Sequence, residues 1–249
     1  MTASSEGSKK SSRRKRRGHA GPSTPADTAP AVTTATDAPP RKRGKVDPRT
    51  YAQVMERIKA FVEARLVKLV TPVARGFFNG CTQEEIQRPD LQSAFFLFFV
   101  LGYRDPNGVR ILDMYRGYGF KPTPVEARVV DALDVTRLRL VEVVRKVEAN
   151  RQLEVRDVFD DTTFKLSDQE AYKSLDAGDG MMAWFMPSSE IHRPIEVATH
   201  VGRELLGPMV DGLRTLASEA EVSPEELGRR KPAQMFWAVY RGVQRFSKA

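Results

Sequence analysis

The densest chemistry in this sequence is cationic. Lys9, Lys10, Arg13, Arg14, Lys15, Arg16 and Arg17 form one cluster, and Arg41, Lys42, Arg43 and Lys45 form a second. Such clusters displace condensed counterions from phosphates without needing a folded site, so they point to nucleic acid. Nothing in them supplies a helix or ribbon for a groove, and the contact they predict is non-specific. These eleven residues are the candidate nucleic-acid-binding set.

Other reactive residue types are sparse. Asp157, Asp160 and Asp161 group at a hairpin, where carboxylates can hold a hard cation. Two of them sit in a turn, so local hydrogen bonding is the expected role. Asp176 and Asp179, flanking Gly178, read the same way. His192 and His200 are separated by Pro194 and have no acidic or Cys partner placed by the sequence. Cys81 is the only cysteine, which excludes a disulfide framework and a Cys-rich zinc site. No catalytic residue, metal ligand or cofactor is expected.

Two aromatic sets remain. Phe159, Phe164, Tyr172, Trp184 and Phe185, with Arg139, Arg145, Lys146, Arg151, Arg156, Lys165 and Lys173, have the composition of a base-stacking surface on a small barrel. Acids are as numerous there, so no net basic face results. Arg229-Arg230-Lys231 leads into a helix bearing Phe236, Trp237, Tyr240 and Phe246. That helix can dock a partner or lie on a membrane surface, and packing on the body is the expected outcome.

The elements that carry these residues divide the chain. Residues 1–50 hold twelve Lys and Arg against four Asp and Glu, which accounts for the whole net charge of +8. Residues 51–249 balance at 28 against 28. The first 50 residues contain no Phe, Trp, Tyr, Leu or Ile. They cannot bury enough apolar surface to offset the entropy of ordering, so a disordered basic tail is expected over 1–49. No apolar stretch follows the basic start, which argues against a secretory signal.

The rest is 3.6-periodic, then 2-periodic, then 3.6-periodic. Tyr51 to Val73 predicts one long amphipathic helix. Thr82-x-x-Glu85 and Thr123-Pro124-Val125-Glu126 are capping boxes. Leu91 to Tyr103, with Phe95, Phe96, Phe98 and Phe99, predicts a buried helix. Alternation begins near residue 136 and predicts strands at 138–145, 153–158, 162–167 and 181–186, with a short one at 172–175. Helices return at Pro194, with a kink at Gly207-Pro208. The longest apolar run, Ala94 to Leu101, is far short of the roughly 18 residues of a membrane span.

Three segments also carry a resemblance. These are Leu140-Val141-Glu142-Val143-Val144, Leu153-Glu154-Val155-Arg156-Asp157-Val158-Phe159, and Leu175-Asp176-Ala177-Gly178-Asp179 before Met182-Ala183-Trp184-Phe185. Together they make residues 92–216 resemble bacterial proteins associated with the SEC-C motif. The resemblance implies helices, then a β module, then a helix, in a bacterial cytoplasmic setting. The family's Cys-rich metal motif is missing here, so no zinc function is carried over, and no catalytic residues are transferred.

The expected fold is α+β: a disordered basic tail (1–49), a helical region (50–136), a small antiparallel β-barrel or curled sheet (137–190) and C-terminal helices (191–249). The expected function is a non-enzymatic module held non-specifically on DNA, RNA or ribonucleoprotein by its arm, with a neutral body that recognises protein. The setting is cytoplasmic, at the nucleoid or ribosome, or nuclear in a eukaryote, without membrane attachment. Two alternatives stay open. One is a protein-interaction adaptor whose tail only solubilises; the other is an enzyme whose site assembles from residues far apart in sequence.

Overall fold

The structure is a computed structural model that describes residues 46–246. The basic clusters at 9–17 and 41–45 therefore lie outside the described residues. Residues 46–49, expected within the tail, are ordered instead. Val46 is buried, and its amide donates to Ser188 Oγ at 2.9 Å. Asp47 then caps α1 (Pro48–Arg65) through its carboxylate, with Pro48 in the first turn. A buried aliphatic and a complete N-cap make residues 46–49 part of the folded body.

The single helix expected over Tyr51 to Val73 is two. Leu66 leaves the helical region at φ −118° and separates α1 from α2 (Val67–Phe77). Both capping boxes form as their spacing dictates. Thr82 and Glu85 exchange bonds of 3.2 and 2.8 Å ahead of α3 (Gln83–Gln87). Thr123 and Glu126 do so ahead of α6 (Pro124–Val135). Pro89 forces Arg88 into an extended conformation and opens α4 (Pro89–Leu97). That helix widens into a π turn over Phe98–Gly102, closed by Tyr103 N to Phe98 O at 2.8 Å. After a turn at Asp105–Gly108 comes α5 (Ile111–Gly117).

Five strands follow: β1 (Arg137–Val147), β2 (Gln152–Asp157), β3 (Thr163–Leu166), β4 (Gly180–Ser188) and β5 (Ile191–Val201). They close into a barrel in the order β1-β2-β3-β5-β4. All pairs are antiparallel except β3 with β5, which run parallel. The short helix α7 (Gln169–Ser174) connects β3 to β4. This is the five-stranded Greek-key plan of OB barrels.

Two expectations are corrected here. The strand expected at 172–175 is α7, because Asp168 caps it by accepting from Ala171 N at 2.7 Å. The β module expected to end at 190 runs to Val201, and the helix expected from Pro194 starts at Arg203. Ile195, Thr199 and Val201 are β-branched and two or four apart, a strand pattern that the helical reading overlooked. A bulge opposite Met182 and Trp184, with Glu196 at φ 60°, masks the alternation. Among the described residues three α-helices follow: α8 (Arg203–Glu219), α9 (Leu227–Arg230) and α10 (Pro232–Phe246). Pro208 sits inside α8, which runs through it without a break.

Two cores share the barrel wall. Val141, Val143, Leu153, Val155, Leu166, Met181, Ala183 and Phe185 fill the interior, plugged by Ala171 and Leu175. Leu138, Leu140, Met182, Trp184, Met186 and Ile195 point outward into the helical core. Strand β4 is therefore buried on both faces along its whole length. The Phe-rich segment is core, as expected: Phe95 and Phe99 are buried and pack with Phe77, Phe78 and Tyr103.

Candidate functional site

Helices α4, α6, α9 and α10 pack on β1, β4 and β5, while β2 meets the short α7, so β2 and β3 form the less covered side. In OB barrels the strand 2–3 face is the one that holds oligonucleotides, by stacking bases on aromatic side chains. Here that side is charged and self-paired. Arg156 reaches Glu142 at 2.6 Å, and Arg145 reaches Glu154 at 2.6 Å, both across strands. Lys165 sits opposite Glu154.

Each of the five aromatics singled out in the sequence has a packing or hydrogen-bond partner, and Phe164 and Tyr172 stay partly exposed. Phe185 lies in the barrel interior and Trp184 under the helices. Phe164 packs edge-on against Phe185 and tilted against His192. Phe159 packs against the helical core. Tyr172 donates to Glu148 at 2.7 Å and lies under Lys146. These rings are thus engaged in packing or, for Tyr172, in a hydrogen bond.

The aspartate cluster is turn chemistry. Asp157 Oδ1 accepts from the amides of Phe159 and Asp160, and Asp160 accepts from Thr162 N. Arg139 bridges Asp157 at 2.7 Å and Asp160 at 3.1 Å. Among the described residues no group of His, Cys, Asp and Glu could hold a metal ion. Burial pushes the Asp157 carboxyl up, against the pull of the Phe159 amide and of Arg139. A raised carboxyl contributes stability below its ordinary 3.8 and loses it as pH rises through the folded value. Asp157→Ala strands two amides and weakens the hold on Arg139, and should cost about 2–3 kcal/mol. Asp157→Asn keeps an acceptor and removes the buried charge, and should cost about 1 kcal/mol or less. Urea unfolding at neutral pH separates the two; equal losses would show that the ion pair, not the amide cap, matters there.

A second charged cluster ties α5 to α6. Arg110 bonds Asp113 through two nitrogens at 2.9 Å and also reaches Asp134. Arg116 adds contacts to Asp131 and Asp134. The Arg110 hydrogen bond holds the Asp113 carboxyl below 3.8, with partial burial opposing. That stability is present above 3.8 and is lost as pH falls through the lowered value. Arg110→Gln should therefore flatten the acid limb of the Tm–pH curve, and an unchanged limb would contradict it.

His192 and His200 both lie on β5, and Cys81 accepts from Arg241 at 3.6 Å. Helix α10 packs on the body: Phe236 and Tyr240 are buried, and Phe236 stacks on Phe77. Phe246 remains exposed. No described helix is long and apolar enough to cross a membrane. An apolar groove of about 560 Å³ runs between α1, α2 and α4, walled by Met55, Val62, Val70, Phe95 and Phe96. Glu56, Glu63 and Glu196 rim it, against Lys59.

The eleven arm residues proposed from the sequence lie outside the described residues. What sequence reading missed is a convergence of Arg104, Arg137 and Arg229 on one cleft, from segments about 30 and 90 residues apart. The only linear signal was Gly228 ahead of Arg229-Arg230-Lys231.

No protein-family model, no curated protein and no solved structure matches the chain. None of these comparisons links the segments singled out in the sequence to a SEC-C-associated family. In the fold those segments fall on β1, on β2 with its following turn, and on the turn before β4.

Proposed function

We propose that this protein is a non-enzymatic, nucleic-acid-associated module. Its Lys/Arg arm holds it non-specifically to DNA, RNA or ribonucleoprotein in the cytoplasm, and its body recognises protein. The observation that carries the reading is the charge partition, with the whole surplus of eight in the first 50 residues and none in the rest. The self-pairing of the less covered barrel side supports it, because cations engaged with Glu142 and Glu154 are not free for phosphates. The apolar groove, with its three glutamates, supports recognition of a segment that carries apolar side chains flanked by cations.

The test is fluorescence anisotropy with a labelled duplex and a labelled single strand. Full-length protein is compared with a full-length variant in which Lys9, Lys10, Arg13, Arg14, Lys15, Arg16, Arg17, Arg41, Lys42, Arg43 and Lys45 are replaced by Gln. Loss of binding in the variant supports the reading. Equal affinity of the two overturns it and leaves the adaptor, whose arm only solubilises, as the better account.

A further inference from the structure

One cleft of about 310 Å³ lies where the barrel meets the helices. Its walls are the end of the π turn at Gly102, the start of β1 at Arg137, the ring of Trp184 on β4, and α9 at Gly228 and Arg229. Arg104 and Arg110 face each other through a β-bridge across the Asp105–Gly108 turn, and both line the cleft.

The charges there do not cancel. Asp113 and Asp134 are the carboxylates of the lining, and both are already held by Arg110 and by Arg116. Among the described residues, no carboxylate forms an ion pair with Arg104, Arg137 or Arg229. Partial burial, with Arg229 and Arg139 nearby, depresses the Arg137 guanidinium, and only Asp160 opposes them.

Close packing creates this crowding. A Cβ on Gly228 would sit 2.0 Å from the Leu138 carbonyl oxygen, so α9 lies directly on β1 and brings Arg229 beside Arg137. A Cβ on Gly102 would sit 2.7 Å from Pro232 Cγ and 3.2 Å from the Trp184 ring. The π turn is thus pressed against the same junction, and π turns recur at functional sites. The packing fixes the backbone positions, while Arg104, Arg137 and Arg229 themselves stay exposed and open to an anion that enters the cleft. Guanidinium forks match the oxygens of phosphate, and the volume is at the small end for a bound small molecule.

We propose that this cleft is a phosphate-binding site, in which Arg104, Arg137 and Arg229 together take a phosphate-bearing anion. The phosphate can come from a free phosphorylated small molecule or from a nucleic-acid backbone. The site is independent of the arm, so it stands or falls separately from the function proposed above.

Thermal unfolding of the full-length protein isolates the cleft from the arm. A ligand raises Tm only if it prefers the folded state. The arm is the same in every variant compared, so a difference among them reports the cleft. Inorganic pyrophosphate at about a hundred times its Kd should raise Tm by about 6 °C. Arg137→Gln and Arg229→Gln, each first shown to unfold cooperatively without ligand, should lose most of that rise. Arg214→Gln, on α8 and paired with Asp211, should keep it. General salting effects appear equally in all four proteins and cancel in the comparison.

A short oligothymidylate run in parallel identifies the source. A rise that depends on Arg137 with both probes assigns the site to backbone phosphate, and one with pyrophosphate alone assigns it to a small phosphorylated molecule. No rise with either probe, or an equal rise in Arg137→Gln and Arg229→Gln, overturns the site.

Discussion

Between about 50 and 200 mM salt, full-length protein should lose about a thousandfold in affinity for a DNA duplex. The magnitude follows from counterion release. If about six phosphates are engaged, log K falls with log[salt] at a slope of about −5. Eleven cations in two clusters are enough for that number, and the balanced remainder of the chain adds no surplus of its own. The arm-neutralised protein should give a slope near zero over the same range. A deletion can replace the multiple substitution only if it spares Val46, whose side chain is buried and whose amide donates to Ser188. A cut inside that residue would unseat the start of α1 and confuse loss of fold with loss of charge. A steep slope that survives neutralisation would move the phosphate contacts to the body, and the cleft at Arg137 would then be the first place to look.

Gly228→Ala should lower stability by about 3 kcal/mol, or about 7 °C in Tm. The added Cβ would lie 2.0 Å from the Leu138 carbonyl oxygen and 3.2 Å from Met235 Sδ. The methionine can give way, but the carbonyl cannot. Leu138 is paired with Trp184 across the β1–β4 ladder, and both side chains are buried in the helical core. The strain must instead lift α9 off the barrel. Gly76→Ala is the control, because nothing lies within 4 Å of a Cβ there. That change, within α2, should be neutral or stabilising by up to about 1 kcal/mol. Two Gly→Ala substitutions of opposite sign would show that contact with backbone, not glycine's flexibility, sets the cost at Gly228. An unchanged Tm for Gly228→Ala would refute the close packing of α9 on β1. Lifting α9 also carries Arg229 away from Arg137, so the same variant should respond weakly to pyrophosphate.

Local signals were legible wherever a few neighbouring residues decide the outcome. Thr82 with Glu85, and Thr123 with Glu126, cap their helices because the partners lie three residues apart and need nothing else. Pro89 ends one helix and opens the next by sterics alone. The alternation in β1 and β2 was readable because one face of each fills the barrel, and β4 read as a continuous apolar run because both of its faces are buried. Strand β5 was not, because its bulge at Glu196 breaks the period of two. At the other end, Val46 was assigned to the tail because its burial depends on Ser188, 142 residues away in sequence.

Composition alone places the net charge in the first 50 residues, and periodicity alone gives the remainder enough apolar material, correctly patterned, for an α+β body. Composition and short-range periodicity are properties of the chain, so they needed no fold to be read. Tertiary structure alone closes the strands into a barrel, buries Phe185 inside it and Trp184 under the helices, and lines one cleft with Arg104, Arg137 and Arg229, which form no ion pair among the described residues. Those are consequences of long-range pairing. Which strand lies beside which, and which helix presses on its outer face, is fixed by how two cores share one wall, and no local spacing records it.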